Sequence, residues 1–241
     1  MALLAGLHPV LEALRAGRGI ERIHVARGAG GPRIQEAIEL ARRSGIPVRF
    51  EERAALDRLA RNTAHQGVLA FAVEQRYYAI GDAAAEPIVL VLDGVEDPHN
   101  LGAILRTANA AGVSVVVIPE RRAAGLTPAV AKAAAGALEH IKVVRVTNIN
   151  RAIDQLKQAG FWIYGLDERG GETYDQVRYQ SPAAIVVGSE GKGLHQQTRK
   201  HCDAVVRIPL AGTVPSLNVS VATGIALFEW KRRAGGTKPA G

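Results

Sequence analysis

A single cysteine, Cys202, stands among 241 residues, which excludes an internal disulfide and a thiolate metal cluster. A reducing cytoplasm is the compartment this composition suits. Long apolar runs are missing too: IVLVL at 88–92 and VSVVVI at 113–118 fall far short of the roughly 20 residues that cross a bilayer. The opening MALLAGLHPVLEALRAG has no basic start, and His8, Pro9 and Glu12 interrupt its apolar residues, which argues against a cleaved signal peptide. Histidines 8, 24, 65, 99, 140, 195 and 201 are scattered without ligand spacing, so zinc is not expected. No segment repeats, and only the terminal GGTKPAG is of low complexity.

What is present is an ordinary globular composition, 47% apolar and 22% charged. Thirty basic residues against 23 acidic ones give a net charge of +7, which favours a polyanionic partner, though cytosolic α/β proteins without one share such a balance. The excess is denser in residues 1–80, which hold 12 arginines, no lysine and 8 acids. Arginine's planar fork suits phosphates and stacked bases.

The pattern predicts an α/β fold. In the first part, helices are expected at residues 8–16, 32–43 and 53–60, with strands at 22–26, 48–50 and 68–73. Ile34, Ala37, Ile38 and Ala41 mark one face of the second helix. Residues 74–86 lack a period and read as a linker, giving a small α/β unit at 1–75, a linker at 76–86 and a second domain at 87–241. From residue 88 the strands become continuous apolar runs, the mark of a parallel sheet covered on both faces. Crossover helices are expected near 101–111, 127–138, 150–159 and 194–200, and a final helix near 218–233.

In parallel sheets ligands bind beyond the carboxyl ends of the strands, and three such ends carry unusual residues. The first is DGVEDPHNLGAILRT, where Asn100 is a candidate N-cap and Arg106 lies well along the helix. It reads equally as a capped helix with a surface arginine. The second, GSEGKGL, spans Gly188 to Leu194. Its spacing matches neither the dinucleotide fingerprint nor the P-loop, and Glu190 would repel phosphate; a cationic or hydroxyl-bearing ligand, or simply a tight turn, suits it better. The third is PSLNVSVATG, where Ser216 or Asn218 can cap the last helix. No G-x-G-x-x-G follows Leu92, which counts against a nicotinamide-dependent oxidoreductase.

Together the three segments resemble motifs one, two and three of the SpoU (TrmH-like) RNA ribose 2′-O-methyltransferases: N-x-G-x-x-x-R-T from Asn100, G-x-E-G-x-G-L from Gly188, and S-L-N-V-S from Ser216. The spellings are most similar to bacterial members that methylate a guanosine ribose in 23S rRNA; members acting on tRNA share the motifs. The resemblance implies a ribosomal-protein-like RNA-binding N-terminal domain and a C-terminal domain with a deep trefoil knot, which connection rules alone would reject. It implies S-adenosylmethionine as cofactor, a homodimer packed through the knotted regions, and no metal or membrane. It also implies Asn100, Arg106, Glu190, Ser216 and Asn218 as catalytic or substrate-binding residues. Gly188, Ile208, Leu217, Leu166 and Ser189 are implied around the cofactor. Pro215 stands where relatives commonly carry a small polar residue and would stiffen the loop. Because a guanidinium stays protonated, Arg106 is read as a phosphate clamp and alkoxide stabiliser rather than a base. Residues with Asn100, Arg106, Glu190 and Asn218 intact argue against a non-catalytic RNA-binding assembly factor. Cys202 reads as a packed thiol. His99 is a candidate RNA contact, and Tyr77 and Tyr78 read as linker packing rather than base stacking.

Overall fold

The computed structural model describes residues 2–15, 18–61, 63–72 and 77–234. It opens with a strand that the sequence pattern does not reveal, β1 (Ala2–Ala5), followed by α1 (Leu7–Arg15), β2 (Ile20–Ala26), α2 (Pro32–Arg43), β3 (Val48–Glu51), α3 (Arg53–Ala60) and β4 (Val68–Ala72). The four strands form one mixed sheet in the order β1-β4-β2-β3, with only the β2–β3 pair parallel. Helices α1 and α2 lay their apolar stripes on one face, where Val10, Leu11, Ile34, Ile38 and Ala41 meet Leu4, Ile23, Val25, Val68 and Ala70. Pro32 opens α2 in its first turn, where a missing N–H costs nothing. Ala16 and Val73, expected as element ends, and residues 74–76 of the expected linker lie outside the described residues.

The second unit is a seven-stranded sheet, every recorded pairing of which is parallel. Its elements are β5 (Ile88–Asp93), α4 (Pro98–Ala111), β6 (Val115–Pro119), then β7 (Lys142–Val146) beyond an intervening helix, α5 (Pro128–Ala133). After these come α6 (Ile149–Gln158), β8 (Trp162–Leu166), β9 (Glu172–Thr173), β10 (Ala183–Gly188), α7 (Gln196–His201), β11 (Ala204–Arg207) and α8 (Val219–Ala234). Strand order is β7-β6-β5-β10-β8-β11-β9. All six residues of β5 and of β10 are buried, which is why these central strands read as unbroken apolar runs. Ile149, Ala152, Ile153 and Leu156 of α6 pack on one face, against Val89, Val91, Val117 and Val186. α8 packs against α4 and β10.

Three differences from the sequence expectation have clear causes. Residues 77–86 are not a free linker. Tyr78 forms a parallel bridge with Val144, its N–H bonding Val143 O at 2.9 Å, and Ile80 and Ala83 join the apolar core. Arg145 lies 5.0 Å over the Tyr77 ring. The expected crossover helix at 127–138 is broken: α5 stops, Gly136 takes φ 93°, and a short 3-10 turn covers Ala137–Glu139. That whole segment, Gly125–His140, belongs to the first compact unit with Met1–Arg76. Arg18 pairs with Glu139 at 2.6 Å with both side chains largely buried, and a Cβ on Gly136 would meet Glu12 Cγ at 2.4 Å. Finally, Asn100 is not the cap of α4. Asp97 caps it, accepting from His99 N at 3.0 Å, and Pro98 takes the next position. No described helix is long and apolar enough to cross a membrane.

Candidate active site

The carboxyl ends of β8, β10 and β11 surround an open cleft. β8 contributes Leu166, Asp167 and Glu168, and β10 runs into Gly188, Ser189, Glu190, Gly191 and Gly193. The chain after β11 adds Ile208, Leu210, Pro215, Ser216 and Leu217, and α8 adds Val219 and Ala222.

The glycines of the second motif answer to the loop's own packing. A Cβ on Gly188 would lie 2.1 Å from the Gly193 carbonyl carbon, so only glycine lets the loop fold back there. Ser189 and Gly193 exchange two backbone hydrogen bonds at 3.1 Å, closing the turn that carries Glu190. Gly193 has φ 66°, and a Cβ on it would sit 2.5 Å from Asp167 Oδ2. Asp167 is 4% exposed and is the anchor of this loop. Its carboxylate accepts from Arg169 Nε at 2.7 Å, Arg169 Nη2 at 2.9 Å, Arg169 N at 3.0 Å and Leu194 N at 2.9 Å. Burial pushes its pKa up, but the bonds from Arg169 and Leu194 outweigh burial and hold it below the ordinary carboxylate value. Arg169 also reaches Lys192 O at 3.4 Å.

Because Asp97 does the capping, the Asn100 side chain is free for other work. Its Nδ2 donates to Glu190 Oε1 at 2.6 Å, and its Oδ1 accepts from Asn218 Nδ2 at 3.0 Å. Asn218 Oδ1 in turn accepts from Ser220 N at 2.9 Å and Ser220 Oγ at 2.6 Å, so Asn218 caps α8. One polarised chain therefore runs Ser220, Asn218, Asn100, Glu190, and ties the three sequence motifs together. Ser216 has no capping role; it lines the cleft.

Of the ten residues singled out in the sequence, Leu166, Gly188, Ser189, Glu190, Ile208, Ser216 and Leu217 line the cleft, Asn100 is bonded to its Glu190, and Asn218 is bonded to Asn100. Arg106 is apart. It is exposed on α4 and is not in the lining. Six residues past Asn100, it points about 120° away around the helix. Sequence reasoning missed Asp167, Glu168 and Arg169, whose only signal was a DER run directly after an apolar strand. It also missed Asp93, 7% exposed, which accepts from His195 Nδ1 at 2.9 Å and His195 N at 3.3 Å.

Residues 87–228 match the SpoU rRNA Methylase family. The chain belongs to that family. Residues 3–78 match RNA 2′-O ribose methyltransferase substrate binding, so the protein is an RNA ribose 2′-O-methyltransferase with its substrate-binding domain at the N-terminal side. It is 44% identical over 241 residues, 97% of this chain and 98% of the other, to the Bordetella pertussis 23S rRNA (guanosine-2′-O-)-methyltransferase RlmB. A Synechocystis protein named as an uncharacterized tRNA/rRNA methyltransferase is 42% identical over 245 residues, and this chain spans 98% of its own length but 64% of that longer relative. Among solved structures, the AdoMet-bound rRNA methyltransferase of Sinorhizobium meliloti is similar at TM-score 0.82 and 28% identity, covering 96% of this chain and 87% of that one.

Proposed function

We propose that this SpoU enzyme transfers a methyl group from S-adenosylmethionine to the ribose 2′-hydroxyl of a guanosine in 23S rRNA, in the cytoplasm. The observation that carries the reading is the Asn218–Asn100–Glu190 chain at the cleft between β8 and β10. The lining fits the cofactor. Leu166, Ile208, Leu210 and Leu217 offer apolar surface to a flat base, Glu168 offers a carboxylate to ribose hydroxyls, and Glu190 favours a cationic over a phosphate-bearing ligand. Bound there, S-adenosylmethionine would supply an activated methyl on its sulfonium, which calls for alignment of the acceptor rather than a covalent enzyme nucleophile.

Asn100 and Asn218 hold Glu190 at a defined place on the rim, and Ser216 presents a hydroxyl to the same cleft. Arg106, permanently charged, would clamp a substrate phosphate and stabilise the developing alkoxide. Its outward position on α4 favours service to a partner's cleft in a homodimer. The exposed apolar residues Val214, Val221 and Phe228, 68%, 50% and 48% accessible, favour such a partner beside α8. A trefoil knot made by the chain after β11 agrees with the way residues 208–217 return to the ends of β8 and β10.

Calorimetric titration of the full chain with S-adenosylmethionine tests the cofactor, and absence of binding overturns the reading. Mapping 2′-O-methyl groups in rRNA and tRNA from a deletion strain tests the substrate. Loss of one guanosine methylation in 23S rRNA is expected; a loss confined to tRNA would assign the enzyme to that substrate instead. For Arg106, the clamp predicts that Arg106→Lys and Arg106→Ala lose methyl transfer alike, whereas rescue by lysine with a shifted pH profile would make this residue a base.

A further inference from the structure

We infer that one half of a face of the N-terminal sheet is a stacking platform for an unpaired RNA base, with Arg22 and Phe71 as the plate and His24 and Glu51 at its edge. The inference rests on the RNA substrate-binding assignment of this unit and names how that unit would grip its substrate.

The two faces of the four-stranded sheet are covered unequally. The face bearing Ile23, Val25 and Val68 is packed under α1 and α2. On the opposite face, α3 packs through Leu56 and Ala60 over the end that carries Ala26 and Leu69. Further along the same face stand Phe71, two residues past Leu69, and Arg22, four before Ala26, and the Arg22 guanidinium lies 4.0 Å above the Phe71 ring centroid. Arg22 stands directly opposite Phe71 in the register that also pairs Ile23 with Ala70, His24 with Leu69 and Val25 with Val68. The register shift lies beyond, between Ile20 and Arg22, and turns Ile20, which strict alternation would place beside Arg22, into the buried core with Ala72.

His24 supplies the independent sign of a missing partner. It is 5% exposed, its ring is tilted against Phe71 at 5.1 Å, and both its Nδ1 and Nε2 lack a hydrogen bond. Glu51 Oε1 stands 3.1 Å from Nδ1 without the alignment of a hydrogen bond. Arg49 pairs in register with His24 on the same side and is exposed. A guanidinium plane stacked on an aromatic ring, with polar groups at its margin, is how unpaired bases are held: one face stacks and the edge is hydrogen-bonded. The carboxylates matter to the choice of ligand. Glu21 binds Arg22 Nη1 and Glu51 adjoins His24, so a track of phosphates is disfavoured here, while a base edge presenting N–H donors is accepted. Arg49 remains for the flanking phosphate.

The test uses the full chain, fluorescence anisotropy, and a labelled unpaired RNA of about 12 nucleotides beside the same sequence annealed as a duplex. Phe71→Leu keeps apolar volume against the sheet and removes the ring; Arg22→Lys keeps the charge and removes the plane. Each is expected to weaken binding of the unpaired RNA about 5- to 100-fold, the range of one lost base stack, and to leave duplex binding unchanged. If Phe71→Leu does not fold, Arg22→Lys on the surface decides alone. Equal affinity of wild type for duplex and unpaired RNA, or wild-type affinity in Arg22→Lys, overturns the platform. Titration with S-adenosylmethionine separates the two readings: failure there with stacking intact would sink the methyl-transfer assignment and not the platform.

Discussion

Asn100 Nδ2 donates to Glu190 Oε1 at 2.6 Å, joining the first turn of α4 to the loop after β10 across 90 residues of chain. Asn218 completes the arrangement by donating to Asn100 Oδ1 while its own oxygen caps α8. Each bond polarises the next, so the three amide and carboxylate groups act as one unit.

The two duties of Asn218 can be separated. Asn218→Asp keeps an oxygen for the α8 cap but loses the N–H that Asn100 accepts. It should melt near the wild-type temperature and lose methyl transfer. Asn218→Ala should lose both, with a stability cost of about 0.5–2 kcal/mol for the missing cap. Thermal melts beside a methyl-transfer assay distinguish the pair; equal destabilisation of both variants would show that the cap is not made by this oxygen.

Asp167 predicts a pH dependence with a definite sign. Its folded pKa lies below the ordinary carboxylate value, so its contribution is present above the unfolded pKa and is lost as pH falls through the folded one. The loop that carries Glu190 should therefore loosen on acidification below about pH 4, as the pH falls through the depressed pKa of the folded carboxylate. Cofactor titrations from neutral toward acid pH should show affinity falling in that range. Asp167→Asn should bind weakly even at neutral pH, because the amide cannot accept all the bonds that Arg169 and Leu194 donate. A pH-independent affinity in wild type would remove Asp167 from this role.

Cys202 is expected to be inert. Burial pushes its thiol up to about 12, and its Sγ–H donates to Thr198 O at 3.3 Å. A thiol reagent at pH 8 should label it only as fast as the protein unfolds, with denaturant raising the rate. Fast labelling of the native chain would contradict the packing at β8, where a Cβ on Gly165 would meet Cys202 Sγ at 2.8 Å.

The parallel sheet was legible because buried central strands leave an unbroken apolar record: IVLVLD and AAIVVG are buried at every position. β1 and β9 were not legible, since four and two residues carry too little pattern. The linker reading erred over residues 77–86 because a single bridge at Tyr78 and two apolar anchors produce no period. In the site, a motif could nominate Asn100, Glu190 and Asn218 but not say what binds what. The capping expectation for Asn100 was reasonable locally, yet Asp97 and Pro98 together make the better helix start.

By itself the sequence determined the α/β class, the run of strands and the three chemical segments at strand ends, because periodicity and residue type are local properties. Tertiary structure alone decided that Asp167 and Gly193 lock the second motif and that Asn100 serves Glu190 rather than its own helix. It also decided that residues 125–140 complete the first unit. Those outcomes depend on which distant backbones come within hydrogen-bonding reach, and no local pattern encodes a distance.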